Sequence, residues 1–290
     1  MDILEQLNEK EAAKAFSKQS LGFDEYDAGN TIIQYKRQRV WEHVLRHLPP
    51  AGAAPALGAA PASGAAPAVS ILELNAGTGT DASFFARQGY RVHATDIAPG
   101  MQEKLREKVR LQGLTDKVST ELCSFTALDA LQARGPYDLI FSNFAGLNCT
   151  GELDKVLRSF APLLKPGGQV TMAILPGFCL WETLLLLRGR FRTAFRRLVS
   201  GRKGTKSHVE GHYFRCWYYS PSYVIRTLAD SFDCISLEGL CTIVPPSYIE
   251  HFAERHPVAY RRLRAREDKW KDKWPWKFIG DYYIISFRKK

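Results

Sequence analysis

A glycine-rich turn is the first feature of this sequence that could do chemistry. It reads ELNAGTGTDA over residues 73–82 and directly follows the apolar run Val69–Leu74. Gly77 and Gly79 let the backbone turn tightly and approach a ligand where a Cβ would clash, and the start of the following helix offers N–H groups to an anion. The spacing Gly77-x-Gly79-x-x-Ala82 also satisfies the dinucleotide-binding fingerprint. The turn therefore predicts a nucleotide-like ligand and leaves the choice of cofactor open.

Two acids at the ends of predicted strands narrow that choice. Glu73 lies four residues before Gly77, where it would repel a pyrophosphate and attract an ammonium group. Asp96 ends the second predicted strand, where a carboxylate can accept hydrogen bonds from both hydroxyls of an adenosine ribose. A structural salt bridge or a helix cap is the alternative for each acid. Together they favour a ligand that combines adenosine with an ammonium group.

Strand-like and helix-like segments alternate after residue 68. Strands separated by helix-length periodic segments indicate parallel βαβ units. The predicted strands are Val69–Leu74, Tyr90–Asp96, Val118–Leu122, Tyr137–Ser142, Gln169–Leu175, Phe232–Leu240 and Tyr282–Arg288, and the predicted helices between them are Thr80–Arg87, Pro99–Leu111 and Leu153–Leu164.

Several segments in this order resemble class I methyltransferases that depend on S-adenosylmethionine (SAM). They are ILELNAGTGT, VHATDIAPGM, GPYDLIFSNF, LLKPGGQVTMAIL and the closing DYYIISFRK. The resemblance spans residues 69–175 closely and extends loosely to 290. It implies an α/β fold with a Rossmann-like, doubly wound, seven-stranded sheet, mostly parallel with an antiparallel last strand, plus N-terminal helices and a helical lid insertion. The N-terminal FDEYDAGN is similar to the segment that closes over SAM in quinone-type and related small-molecule methyltransferases.

The resemblance assigns a role in cofactor binding to particular residues. Glu73, Ala76, Gly77 and Gly79 would line the methionine end of SAM, Asp96 the ribose, Ile97 and Met101 the adenine, and Asn143 and Phe144 the sulfonium. Asn75 stands where the family usually has a glycine, and asparagine tolerates a positive φ. Ser124, followed by Phe125, stands where an aspartate often binds the adenine amine. Met101 could equally be an ordinary core residue.

The catalytic base is open at this stage. Methyl transfer from a sulfonium mainly requires alignment of the acceptor with the methyl group, and a base is needed only for a weakly acidic hydroxyl or a protonated amine. The candidates after the fifth strand are His208, His212 and Tyr213, with Glu210 and Tyr218 beside them, and each could instead be a surface or packing residue. No metal-ligand spacing is present, and the six cysteines form no C-x-x-C pair, so no metal is expected.

The composition divides the chain into three parts. Residues 1–48 are predicted to be an N-terminal helical cap, in which Gly22 to Asn30 form a turn-rich interruption. Residues 49–68 are almost wholly Ala, Gly and Pro and repeat the pattern GAAPA three times, which is typical of a flexible linker. Residues 69–290 form the SAM-binding domain, with insertions at about 176–220 and 243–280.

Charge and the insertions bear on partners and substrate. The formal net charge is +10, and a stretch from Arg188 to Lys206 carries no acid. We expect a small, partly hydrophobic or anionic substrate under the first insertion, with an anionic carrier or a membrane surface as a partner. Solvated helix faces are the alternative. The aromatic, basic second insertion leaves RNA methylation as the alternative function; a SAM-binding fold without catalysis and an NAD(P) oxidoreductase are further alternatives.

The same sequence gives an expectation for location. The N-terminus is mixed in charge and no apolar run reaches the length of a membrane span, so we expect the cytoplasm. The acceptor atom and the oligomeric state are not indicated by any pattern.

Overall fold

The computed structural model describes residues 3–51, 68–184, 197 and 200–290. The strands are β1 Ser70–Leu74, β2 Arg91–Asp96, β3 Val118–Leu122, β4 Tyr137–Ser142, β5 Leu164–Ile174, β6 Thr205–Val209, β7 His212–Cys216, β8 Phe232–Leu240 and β9 Tyr282–Lys289. The helices are α1 Ile3–Gln19, α2 Phe23–Ala28, α3 Thr31–His47, α4 Thr80–Arg87, α5 Pro99–Leu111, α6 Leu153–Arg158, α7 Leu180–Leu184, α8 Pro221–Leu228, α9 Phe252–Arg255 and α10 Pro257–Trp270. None of the helices in this described part of the chain is long and apolar enough to cross a membrane.

Seven strands form one sheet in the order β3-β2-β1-β4-β5-β9-β8. The pairs from β3 to β5 are parallel, and β9 runs antiparallel to both of its neighbours. The strand order reverses between β1 and β4, and such a switch point leaves a crevice at the carboxyl ends of the strands. The predicted fold class is confirmed, including the antiparallel last strand.

Alternation along the strands produces two cores, one on each face of the sheet. In β1, Leu72 and Leu74 pack into one core with α6 and α8, whereas Ile71 packs into the other with α3, α4 and α5. A strand buried on both faces has no polar side, and this explains the near-continuous apolar runs of the sequence. The packing on α4 and α5 fixes the glycine turn between β1 and α4.

Three predicted segments differ from the structure. The turn-rich piece from Gly22 to Asn30 contains a short helix, α2, and ends in Asn30, whose side chain caps α3 by accepting from Ile32 N and Ile33 N. Helix α6 ends at Arg158, before the Ala161–Leu163 turn that contains a proline, and β5 begins earlier than predicted, at Leu164. The predicted linker lies mostly outside the described residues.

The first insertion is only partly helical. Its described residues contain the short helix α7 and an antiparallel hairpin of β6 and β7, in which His208 pairs with Tyr213. The sequence predicted a helical lid here, and the hairpin corrects that prediction for residues 205–216. Residues 185–196, 198 and 199 lie outside the described part.

Helix α1 buries a face that mixes polar and apolar side chains. Leu4 and Leu7 are 73% and 55% exposed, whereas Glu5 and Asn8 are buried. The polar residues of this face bond to backbone groups that the helix covers. Asn8 donates to Cys149 O and accepts from Arg215 N, and such backbone groups need polar partners when they are buried. The helix itself was predicted, but its inward face is the opposite of the one that apolar spacing indicates.

The second insertion holds α3 in place through buried charges. Glu267 of α10 is fully buried and accepts hydrogen bonds from the N–H groups of Cys241, Thr242, Ile243 and Val244. Its Oε1 atom also accepts from the Tyr35 hydroxyl of α3. Helix α3 is thereby attached to both the sheet and the second insertion. This attachment bears on function because α3 supplies part of the wall of the candidate site described below.

Candidate cofactor and acceptor site

A cavity lies at the carboxyl ends of β1, β2 and β4, beneath α1 and the start of α2. Its empty space, which includes open solvent at the mouth, is about 1030 Å³. The N-terminal cap lines it with Glu5, Glu9, Ala12, Phe16, Phe23 and Arg37. The sheet side lines it with Asn75, Ala76, Gly77, Thr78, Thr80, Asp81, Asp96, Ile97, Met101, Cys123, Phe125, Thr126, Asn143, Phe144, Gly146, Cys149 and Thr150.

The glycine turn has the backbone that the sequence implied. Asn75, Gly77 and Gly79 have φ values of 48°, 56° and 78°, a region that glycine enters freely and asparagine tolerates. A Cβ on Gly77 would have no heavy atom within 4 Å, so the cavity remains open at this residue. A Cβ on Gly79 would lie 2.6 Å from Leu105 Cγ, so this second glycine is required by helix packing instead.

Asp96 ties the glycine turn to the end of β2. Its Oδ2 atom accepts from Gly77 N at 2.9 Å, and its Oδ1 atom accepts from Ala98 N at 2.8 Å. Burial raises the pKa of Asp96, and the two backbone N–H groups oppose that shift. Each carboxylate oxygen retains capacity for a second hydrogen bond, and the side chain lines the cavity. The geometry therefore allows Asp96 to hold a diol.

Glu73 lies behind the turn, not in the wall of the cavity. It is 1% exposed, and its Oε2 atom has no hydrogen-bond partner among the described residues. Burial raises the pKa of Glu73 well above its ordinary value, nearby Asp81 raises it further, and Arg37 opposes the shift. An unpaired buried carboxyl group of this kind is costly unless a cation approaches it.

Glu73→Gln is expected to stabilise the ligand-free protein at alkaline pH. A carboxyl group whose pKa is raised on folding keeps its proton in the folded chain and loses it in the unfolded chain, so the free energy of unfolding falls as pH rises above the ordinary pKa. Glutamine does not titrate. The Tm of the variant should therefore exceed that of the wild type at pH 8, and the difference should shrink towards pH 5.

The measurement is thermal unfolding across that pH range, with Glu103→Gln as a control because Glu103 is exposed on α5. The same Glu73→Gln variant should bind SAM roughly tenfold more weakly, since a charged hydrogen-bond partner is lost. Equal Tm shifts in Glu73→Gln and Glu103→Gln would show that burial of Glu73 does not cause the pH-dependent difference in Tm.

The loop after β4 is strained where it enters the cavity. Phe144 and Ala145 have φ values of 49° and 60°, which non-glycine residues rarely adopt. The loop is held by the Asn143 side chain, which donates to Asp81 Oδ2 at 3.0 Å, and by Asn75 Nδ2, which donates to Asn143 O at 2.9 Å. These hydrogen bonds hold the strained backbone in place, with the Phe144 ring at the cavity wall.

Arg37 links the N-terminal cap to the glycine turn. Its guanidinium bonds to Asp27 of α2 at 2.6 Å and to Asp81 of α4 at 2.7 Å, and its Cζ atom lies 4.5 Å from the Phe144 ring centroid. Asp81 also accepts from Trp41 Nε1 at 2.7 Å. All three charged groups are buried. The cap is therefore joined to the sheet edge by a buried ionic network.

The structure brings together most of the predicted cofactor residues. Those that line the cavity are Asn75, Ala76, Gly77, Asp96, Ile97, Met101, Phe125, Asn143 and Phe144. Glu73 and Gly79 lie behind them, as described above. Ser124 is turned away because its hydroxyl donates to Glu9 of α1, which faces the cavity in its place.

The predicted catalytic candidates lie elsewhere. His208, His212 and Tyr213 sit on the β6–β7 hairpin and do not line the cavity. Tyr213 is 54% exposed, and His212 Nδ1 lies 3.2 Å from Glu11 on the outer part of α1. The hairpin packs on α1 through Phe214, so α1 separates these side chains from the cavity. This placement corrects the expectation that they reach the acceptor.

Part of the predicted basic lid is a buried ion cluster. Arg197 bonds to Glu182 and to Asp281, each at 2.7 Å, and all three residues are buried. Cys179, Glu182 and Asp281 lie close enough to hold a metal ion, but the Arg197 guanidinium already supplies the positive charge there. Arg197 is thus structural, and the arginines at 188, 190, 192 and 196 lie outside the described residues.

The sequence reasoning missed the residues of the cap that line the cavity. On α1 these are Glu5, Glu9, Ala12 and Phe16, whose spacing of four, three and four residues places them on one helical face. That face mixes acidic and apolar side chains, so a search for apolar periodicity does not detect it. Arg37 of α3 was missed as well. A buried arginine is rare without carboxylate partners, and sequence spacing does not identify those partners.

The comparisons with known proteins agree with this geometry. Residues 71–168 match the family model described as a methyltransferase domain. Methyltransferase GfsG of Streptomyces halstedii is 28% identical over 39% of this chain and 45% of its own length. The demethylmenaquinone methyltransferase of Thermobifida fusca is 27% identical over 51% of this chain and 56% of its own length. The chain thus spans about half the length of the curated relatives it matches.

Solved structures share the fold. A putative SAM-dependent methyltransferase from Listeria monocytogenes superposes with a TM-score of 0.56 at 15% identity, covering 86% of this chain and 96% of the other. Geranyl diphosphate C-methyltransferase from Streptomyces coelicolor gives a TM-score of 0.53 at 16% identity, covering 88% and 79%. Residues 71–168 thus carry a methyltransferase domain, and the fold is that of class I, SAM-dependent methyltransferases, as the sequence motifs predicted. The match to the family model covers the strands and turns that build the cofactor side of the cavity.

Proposed function

We propose that this protein transfers the methyl group of SAM to a small acceptor that carries an apolar portion. One observation carries the proposal: the glycine turn, the strand-end carboxylate of Asp96 and the apolar walls meet in one cavity that the N-terminal cap covers. A covered cavity of this kind can hold a cofactor beside a second ligand and exclude water from both.

The residues present fit SAM. The turn is open at Gly77, Asp96 has free acceptor capacity for a ribose diol, and Ile97, Met101 and Phe125 offer apolar contacts for a purine. Glu73 has an unpaired buried oxygen near the turn, suited to an ammonium group. A pyrophosphate would instead meet several carboxylates, which disfavours a dinucleotide.

Bound SAM supplies a methyl group on a sulfonium, a leaving group that its charge has already activated. The chain's own residues must then hold the acceptor in line and exclude water. Phe16, Phe23 and Phe144 provide apolar surface for that purpose at the covered side of the cavity. His208, His212 and Tyr213 lie outside the lining of this cavity, so the proposal assigns them no part in the step.

The nature of the acceptor follows from the cavity wall. Helix α1 crosses over the sheet edge, with contacts from Gly100 to Thr150, so the space beneath it suits a small molecule better than a polymer strand. The relatives above carry the names of small-molecule methyltransferases where a substrate is named. The RNA alternative has no comparable support.

The test is isothermal titration calorimetry of the full chain with SAM, S-adenosylhomocysteine (SAH) and NADH. We expect both adenosyl ligands to bind and NADH not to bind. A thermal shift should accompany SAM binding, since a ligand at 100 times its Kd stabilises the folded state by about 2.7 kcal/mol. Binding of NADH without binding of SAM would overturn the proposal.

A further inference from the structure

We propose that the acceptor is a small molecule that carries an organic ammonium group and an apolar portion, and that Glu5 of α1 binds the ammonium group. This proposal deepens the proposed function and rests on it. The starting point is the balance of charge in the cavity wall. Four carboxylates line it, those of Glu5, Glu9, Asp81 and Asp96, and Arg37 is the one basic side chain among the described lining residues.

Arg37 does not offset that excess. Its guanidinium is shared between Asp81 and a further carboxylate, Asp27, both within 2.7 Å. The cofactor brings a sulfonium and an ammonium group against one carboxylate, so its single net positive charge leaves negative charge uncompensated. An anionic acceptor would therefore be repelled, contrary to the expectation from the basic sequence stretches.

Glu5 is the carboxylate best placed to meet the acceptor. It is 7% exposed and lines the cavity, as Thr150 and Cys149 do. Its Oε1 atom accepts from the Thr150 hydroxyl and from Gly151 N. Its Oε2 atom receives no hydrogen bond from the part of the chain that the structure describes, so a carboxylate on a buried residue keeps one oxygen available to a ligand.

The residues around Glu5 also favour the binding of a cation. Burial raises the pKa of Glu5, and the like charges of Glu152 and of Glu9, one turn along α1, raise it further. Two glutamates at this helical spacing repel each other unless a positive group sits near them. Phe16 and Phe144 complete the wall with aromatic rings, which attract organic cations.

The other three carboxylates of the cavity wall are already hydrogen-bonded to other parts of the protein. Asp81 is bonded to Arg37, Trp41 and Asn143, and both oxygens of Asp96 are bonded to the backbone. Glu9 is bonded to the hydroxyls of Ser124 and Thr126, after β3. Glu5 is thus the lining acid that combines burial with one oxygen that no described residue bonds, and its own hydrogen bonds go to Thr150 and Gly151, not to the glycine turn.

The experiment titrates the SAH-saturated full chain with three probes of similar shape: phenethylamine, phenethyl alcohol and phenylpropionate. We expect the amine to bind at least about tenfold more tightly than the alcohol, and the carboxylate to bind most weakly. Glu5→Gln keeps the Oε1 acceptor, so the fold is preserved, and it should weaken amine binding by about tenfold or more while SAH binding changes by less than about twofold.

Glu11→Gln is the matched control, because Glu11 lies on the same helix and pairs with exposed Lys14. It should leave amine binding unchanged. The proposal is overturned if phenylpropionate binds as tightly as the amine, if no probe binds, or if Glu5→Gln leaves amine binding intact. A selective loss of SAM relative to SAH in Glu5→Gln would assign Glu5 to the sulfonium and would also overturn it. Failure of SAH itself to bind would instead refute the proposed function.

Discussion

Replacing Asp96 by alanine is expected to raise the Kd for SAM by about 100-fold or more. The carboxylate has spare acceptor capacity on both oxygens and lines the cavity at the end of β2. Hydrogen bonds to a charged acceptor contribute about 1.5–3 kcal/mol each, and two of them account for the expected change. Calorimetric titration with SAM measures it directly.

Two further variants separate binding from folding in this test. Asp96→Asn keeps one acceptor oxygen for the backbone and should give an intermediate Kd. Asp116→Ala removes an exposed acid between α5 and β3 and should leave the Kd unchanged. Unchanged SAM affinity in Asp96→Ala, with the protein still folded, would show that the ribose assignment is wrong.

Replacing Arg37 by methionine is expected to lower the free energy of unfolding by about 3–5 kcal/mol, because it leaves two buried carboxylates without their counter-charge. Those carboxylates, Asp27 and Asp81, hold α2 and α4 against α3. Equilibrium unfolding in urea measures the loss. A change of this size is a large part of the stability of an ordinary domain.

A second substitution tests whether the loss of stability comes from unpaired buried charge. Adding Asp27→Asn to Arg37→Met removes one of the unpaired charges, so the double variant should recover part of the lost stability. Arg106→Met, on the exposed side of α5, serves as the control and should change stability by less than about 0.5 kcal/mol. If Arg37→Met behaves like Arg106→Met, the network contributes nothing measurable.

The cofactor half of the site could be predicted from sequence because its signals are local. Gly77 and Asp96 act through the turn and the strand end next to them, and β1, α4 and β2 are defined by short-range periodicity. The apolar runs of the strands also indicated burial on both faces. Each of these features depends on residues that are neighbours in the chain.

The acceptor half could not be predicted in this way, because its signals are non-local. Glu5 becomes a lining residue only when the fold brings Thr150, 145 positions away, into hydrogen-bond contact with it. In the sequence, Arg197 is part of a basic stretch. Its structural role depends on its bond to Asp281, 84 positions away. Charge runs and apolar spacing describe a side chain's type, whereas burial of a charged group is decided by partners that sequence spacing does not identify.

The Arg37–Asp81 bond has a consequence for how this protein can diverge. The cofactor wall lies within the segment that matches the family model, and most of the acceptor wall comes from the N-terminal helices outside it. Helices α1 to α3 could therefore be exchanged between relatives to change substrate preference without altering the cofactor. Such chimaeras should function only when the arginine of the incoming helix and the aspartate of the resident turn are inherited together.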